Sequence, residues 1–150
     1  MDRVKKVLEE LGVAYELIEH DRPVRSAKEG AALFGIEIGQ TAPVLIVKAD
    51  AKPLALILSG KRGRLDFAAV ASRCGYQHMS MADAREVREW TGYETGRVPL
   101  VGHGLPVILD EELTEYREVY GGSGDLNWTL KLSPQVLLQA NQIQGKLPKM

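Results

Sequence analysis

The 150-residue sequence has a single cysteine, Cys74. No disulfide can form within the chain, and a cysteine-rich zinc site is excluded. Its three histidines, His20, His78 and His103, stand far apart with no ligand spacing, so no metal is expected. Neither sign of charge dominates: nineteen basic side chains face twenty acidic ones, for a net charge of −1. Proteins that track a long nucleic-acid backbone carry a positive surplus, so any such contact here must be local. No apolar run is long enough to cross a bilayer, and Met1-Asp2-Arg3-Val4-Lys5-Lys6 lacks the apolar core of a signal peptide. A cytoplasmic protein with no membrane partner is expected. G-x-x-x-x-G-K-[ST], H-E-x-x-H and G-x-S-x-G are all missing.

What remains is an ordinary globular composition, 45% hydrophobic and 26% charged, over a length that suits one domain spanning 1–150. Val4, Val7, Leu8 and Leu11 recur at helical spacing, and Gly12 follows as a stop. Residues 13–19 alternate as a strand does. Ser26 and Glu29 form a capping box that opens a helix to Phe34. Residues 43–47 and 54–58 are apolar runs joined by Asp50-Ala51-Lys52-Pro53, which predicts a hairpin in a buried sheet. Helices are expected over 66–74 and 82–90. Three short strands are expected over 106–109, 116–120 and 127–132, and Ser133-Pro134 starts a last helix. Interleaved helices and strand pairs predict an α+β domain with a curved, barrel-like mixed β-sheet flanked by helices.

Two glycine-rich stretches stand out. Thr91-Gly92-Tyr93-Glu94-Thr95-Gly96-Arg97-Val98-Pro99 continues to Gly102-His103-Gly104, and Tyr120-Gly121-Gly122-Ser123-Gly124-Asp125 follows. Glycines let backbone N–H groups approach a ligand; a long surface connection and a hairpin turn would read the same way. Lys61, Arg62 and Arg64 could receive a phosphate or simply form a solvated loop. His103 could be a base, a ligand contact or an exposed loop histidine. Cys74 is in register with Phe67, Val70 and Ala71, which assigns it to packing rather than nucleophilic chemistry.

The order of these features resembles the YbaK/prolyl-tRNA synthetase-associated domain family of free-standing aminoacyl-tRNA deacylases. The resemblance begins at Gly12-Val13-Ala14-Tyr15 and His20. It is most specific at residues 91–99, which look like T-G-Y-x-x-G-x-x-P. It closes with Val107-Ile108-Leu109-Asp110, Tyr120-Gly121-Gly122 and Leu130-Lys131-Leu132-Ser133-Pro134. It implies hydrolysis, in trans, of the ester between a wrong amino acid and the terminal adenosine of a tRNA, for example cysteine or alanine on the proline tRNA. It implies no cofactor and no metal, a tRNA 3′ aminoacyl end as a locally gripped partner, and an association with an aminoacyl-tRNA synthetase as a further option. Carried onto this sequence, catalytic roles fall to Gly96, Gly102 and His103. Substrate-binding positions fall to His20, Ala42, Lys61, Arg62, Pro99, Asp110, Gly121, Gly122 and Ser123.

One departure bears on function. The family has K-T-L-hydrophobic at the start of the first hairpin strand, where this chain has Ala42-Pro43-Val44-Leu45. Lys48 cannot substitute, because six residues of strand place it about 20 Å away. The phosphate grip would pass to Lys61 or Arg62. A second reading is a binding module that keeps the pocket for an aminoacyl-tRNA end, an amino acid or a nucleotide without hydrolysing it.

Overall fold

Helices in this chain begin where short polar side chains can take up the orphan N–H groups of a first turn and end where glycine accepts a left-handed backbone. In the computed structural model, which describes residues 1–150, α1 (Asp2–Leu11) stops at Gly12 with φ 67°. The sequence of elements continues with β1 (Glu16–Glu19), α2 (Ala27–Phe34), β2 (Thr41–Ala42), β3 (Val44–Ala49), β4 (Lys52–Ile57), α3 (Phe67–Cys74), β5 (Met79–Met81) and α4 (Ala84–Thr91). It ends with β6 (Pro106–Asp110), β7 (Val119–Gly122), β8 (Trp128–Leu132), α5 (Pro134–Ala140) and β9 (Gln142–Leu147). Ser26 caps α2 by accepting from Glu29 N–H, and Asp66 caps α3 through Ala68 and Ala69 N–H. Asp83 and Glu86 close a full capping box on α4.

The expected α+β class holds, but the strands form two sheets rather than one, and neither closes into a barrel. One sheet has the order β1-β8-β7-β2, the other β5-β3-β4-β6-β9. Both are mixed: β2 runs parallel to β7, and β4, β6 and β9 are parallel, while the remaining pairs are antiparallel. The chain passes from the first sheet to the second at Pro43, which lies between β2 and β3. Proline has no N–H to give a ladder, yet its carbonyl still accepts from Leu58 N–H at 3.0 Å. A one-residue transfer between sheets therefore keeps the Pro43 carbonyl paired at that corner.

The hairpin predicted from the two apolar runs is β3–β4, in register from Val44↔Ile57 to Ala49↔Lys52. Its alternate residues explain why both faces read as apolar. Ala55, Ile57, Val107 and Leu109 join the core shared with α1, α5 and the first sheet, while Leu54, Leu56 and Ile108 pack on the other side with Val70 of α3. Two boundaries and two further strands differ from the sequence reading. The strand expected over 116–120 starts at Val119, because Asp110 caps a short 3-10 turn over 111–115 that delays it. The strand expected from residue 13 begins at Glu16. β9 and β5 were not foreseen; β9 reads Gln-Ile-Gln-Gly-Lys-Leu, an edge strand too polar to announce itself.

Candidate active site

A cavity of about 240 Å³ opens where four pieces of chain meet: the start of α2, the β2–β3 corner, the loop at 96–98 and the β7–β8 connection. Two adjacent glycines make this junction possible. A Cβ on Gly122 would sit 2.6 Å from the Val98 carbonyl oxygen, and one on Gly121 would sit 2.7 Å from Leu100 Cδ1. The loop thus lies directly on β7, and Leu100 N–H donates to the Gly122 carbonyl at 3.0 Å. Gly121 and Gly122 belong to the strand; the turn itself is 123–127, tied by Ser123, whose hydroxyl donates to the carbonyls of Trp128 (2.7 Å) and Asp125 (3.0 Å).

At Gly96 the backbone takes φ 86°, with open space where a side chain would begin. The N–H groups of Gly96, Val98, Ser123 and Gly124, all cavity-lining residues, donate to no acceptor within the protein. Such groups are obligatory hydrogen-bond donors, so this wall is able to receive an oxyanion or a carbonyl oxygen. The charged lining residues are Arg25, Arg97 and Asp125; the apolar part includes Val24, Phe34, Ala42, Val44 and Trp128. Phe34 and Tyr120 stack with ring centroids 5.1 Å apart.

The serine and threonine hydroxyls of the cavity are already engaged. Thr41 donates to the Ile38 carbonyl at 2.7 Å, Ser26 caps α2, and Ser123 holds its own turn. Thr129 Oγ1 lies 2.9 Å from His20 Nε2, and His20 Nδ1 lies 2.6 Å from the Arg22 carbonyl oxygen. A carbonyl can only accept, so Nδ1 carries the proton and Nε2 accepts from the Thr129 hydroxyl. Of these hydroxyls only Thr129 faces an imidazole nitrogen; the others are committed to backbone carbonyls or to the α2 cap.

Of the residues singled out in the sequence, the structure gathers Gly96, Ala42, Gly121, Gly122 and Ser123 around this cavity. His20 stands one layer behind it, its ring edge-on to Phe34 at 6.0 Å. Pro99 is buried beneath the loop, its Cα 3.3 Å from where a Gly122 Cβ would be. Gly102 and His103 lie elsewhere, on the α1 side of the molecule. A Cβ on Gly102 would meet the Arg3 carbonyl at 3.3 Å, and His103 is 1% exposed. The proposed phosphate grip is also displaced. Arg62 makes a two-pronged pair with buried Asp110 (2.7 and 2.9 Å) and donates to the Pro148 carbonyl. Lys61 pairs with Glu112 at 2.7 Å. The Asp110 carboxylate raises the Arg62 pKa, and the Glu112 carboxylate raises that of Lys61. These charges fasten the C-terminal strand and the 3-10 turn, and Asp110 is a structural counter-ion.

Sequence reasoning missed Arg25, Arg97, Asp125, Thr129 and the aromatic wall. Arg97 was legible in principle, because it occupies one of the four variable positions of the most specific motif, and Asp125 closes the second glycine-rich stretch; Arg25 and Thr129 come from segments with no signature.

Residues 21–140 match the family described as aminoacyl-tRNA editing domain. A protein described as a candidate trans-editing enzyme for prolyl-tRNA synthetase is 34% identical, with a TM-score of 0.84 over 96% of this chain and 92% of that one. The hypothetical protein APE2540 is 30% identical, with a TM-score of 0.86 over 96% and 97% of the two chains. A scaffold protein used for epitope grafting is 33% identical, with a TM-score of 0.83 over 99% and 96%.

Proposed function

Because the chain belongs to the aminoacyl-tRNA editing domain family, we propose that it hydrolyses the ester of a mischarged tRNA in trans, with cysteine or alanine on the proline tRNA as first substrates. The observation that carries this reading is the cavity wall of unpartnered N–H groups at Gly96 and Val98. Attack of water on the ester carbonyl moves negative charge onto its oxygen, and fixed donors in a partly apolar cleft stabilise that charge without reorganising. The leaving 3′-hydroxyl takes the proton that water gives up, so no covalent enzyme intermediate is required. The choice of the proline tRNA follows the description of the 34% identical relative.

The cation for this site is Arg97, on the same loop as the donors, with Arg25 on the α2 side. Ala42 is 1% exposed and brings no charge to the wall. A second reading rests on that observation: a cavity that binds the aminoacyl end and leaves the ester intact.

Deacylation of Cys-tRNA and Ala-tRNA for proline, by the unmodified protein and by Ala42→Lys and Arg97→Gln, separates the two. Hydrolysis by the unmodified protein that Arg97→Gln depresses supports the first reading. Absence of hydrolysis across a broad tRNA panel, with activity appearing only in Ala42→Lys, rejects it in favour of the binding module.

A further inference from the structure

Resting on the editing reading, we infer that Asp125 holds the substrate's α-ammonium group, so that the site takes aminoacyl esters with a free amine and rejects N-acylated ones. An aminoacyl ester presents one cation, its ammonium, beside the ester carbonyl and the phosphodiester. The cavity presents the converse set: two guanidiniums, from Arg25 and Arg97, and a single carboxylate, from Asp125.

The geometry of Asp125 suits a binding role. Its Oδ1 accepts from Asn127 N–H at 2.9 Å, which fixes the side chain. Its Oδ2 has neither a hydrogen bond nor an ion pair within the protein, and an ionised carboxylate has unspent acceptor capacity there. Its backbone is held on both sides. Asp125 N–H donates to Ser123 Oγ at 3.2 Å, and its carbonyl accepts from Ser123 Oγ and from Trp128 N–H. Ser123 is fully buried, so the turn that carries the carboxylate is anchored in the protein rather than free in solvent. A carboxylate pre-positioned in this way loses little entropy on meeting an ammonium.

The test uses two amide mimics that cannot be cleaved, 3′-alanylamino-3′-deoxyadenosine and its 3′-propionylamino counterpart, which differ only in the amine. Titration calorimetry is run on the full chain and on Asp125→Asn, which keeps the Oδ1 acceptor for Asn127. In parallel, kcat/KM is compared for Ala-tRNA and N-acetyl-Ala-tRNA for proline. A charge-assisted hydrogen bond predicts a preference of about 10–100-fold for the amine in both assays. Asp125→Asn should reduce that preference to within about threefold while binding of the propionyl amide stays unchanged. Equal binding of the two amides by the unmodified protein, or an undiminished preference in Asp125→Asn, overturns the inference and leaves the editing reading standing. Failure to bind either amide together with failure to cleave either tRNA overturns both.

Discussion

Arg97 is exposed and forms no ion pair, since the neighbouring carboxylate, Glu94, is engaged by Arg88 at 2.9 Å. The Arg88 guanidinium chiefly, and Arg97 to a lesser degree, hold the Glu94 carboxyl below its usual range. A charge that has no hydrogen-bonded or ion-paired partner and lines a cavity is available to a ligand. Arg97→Gln is therefore expected to lower kcat/KM for deacylation by about 10–100-fold, the worth of one charge-assisted contact. Its thermal midpoint should barely move, because isolated surface substitutions stay within about 0.5 kcal/mol. Full activity in Arg97→Gln would take the guanidinium out of the mechanism. Lys61 and Arg62 make the contrast. They also looked like free cations in the sequence, but each is tied to a carboxylate of the 110–112 segment. Pairing across some fifty positions of sequence leaves no local trace, so the sequence could not show that these two cations are already engaged.

Elements in this protein are positioned by a few close approaches of backbone to backbone. The 96–100 loop rests on β7 because Gly121 and Gly122 have no side chains. Gly122→Ala would drive a methyl to within 2.6 Å of the Val98 carbonyl and strain the Leu100–Gly122 hydrogen bond. Overpacking against backbone costs about 1–3 kcal/mol, so chemical denaturation should show a stability loss of that size together with weakened turnover. Gly63→Ala, where nothing lies within 4 Å, serves as the comparison and should be near neutral. Equal stability of the two variants would show that the loop does not rest on β7. The glycine pair was legible as a feature and illegible in its role: sequence suggested a hairpin turn, whereas the need is for contact with a loop more than twenty residues earlier. The same limit applies to the sheets. Periodicity marked the β3–β4 hairpin and the helices, because their residues alternate or recur by burial. It passed over β9, whose Gln142, Gly145 and Lys146 pair with β6 through main-chain bonds alone.

At the scale of the whole molecule, acid sensitivity should centre on a buried residue outside the candidate cavity. His103 is buried, and its Nδ1 accepts from Leu105 N–H at 3.1 Å. That bond leaves the proton on Nε2, which has no partner. Protonating Nδ1 would set a second donor against the Leu105 N–H. Burial, with Arg3 nearby, lowers the His103 pKa to about 4, and the Asn141 side chain offsets only part of this. The unfolded chain, with an ordinary value of 6.5, binds the extra proton first. Between those two values the unfolded state holds more protons than the folded one, so stability rises with pH through that window. It is fully present above 6.5 and is lost progressively on acidification towards 4. At 1.36 kcal/mol per unit, the loss approaches about 3 kcal/mol. The carboxylates whose values are lowered, exposed Asp83 and Glu94 and buried Glu112, lose their contributions below their ordinary values of 3.8 to 4.5, so the upper part of the His103 window is free of them. Thermal midpoints measured from pH 7 to pH 4.5 should fall in the parent protein. They should fall less in His103→Phe, which keeps the ring volume and carries no titrating group. Parallel pH profiles for the two proteins would assign the acid response to another group and leave His103 as neutral packing between α1 and the core.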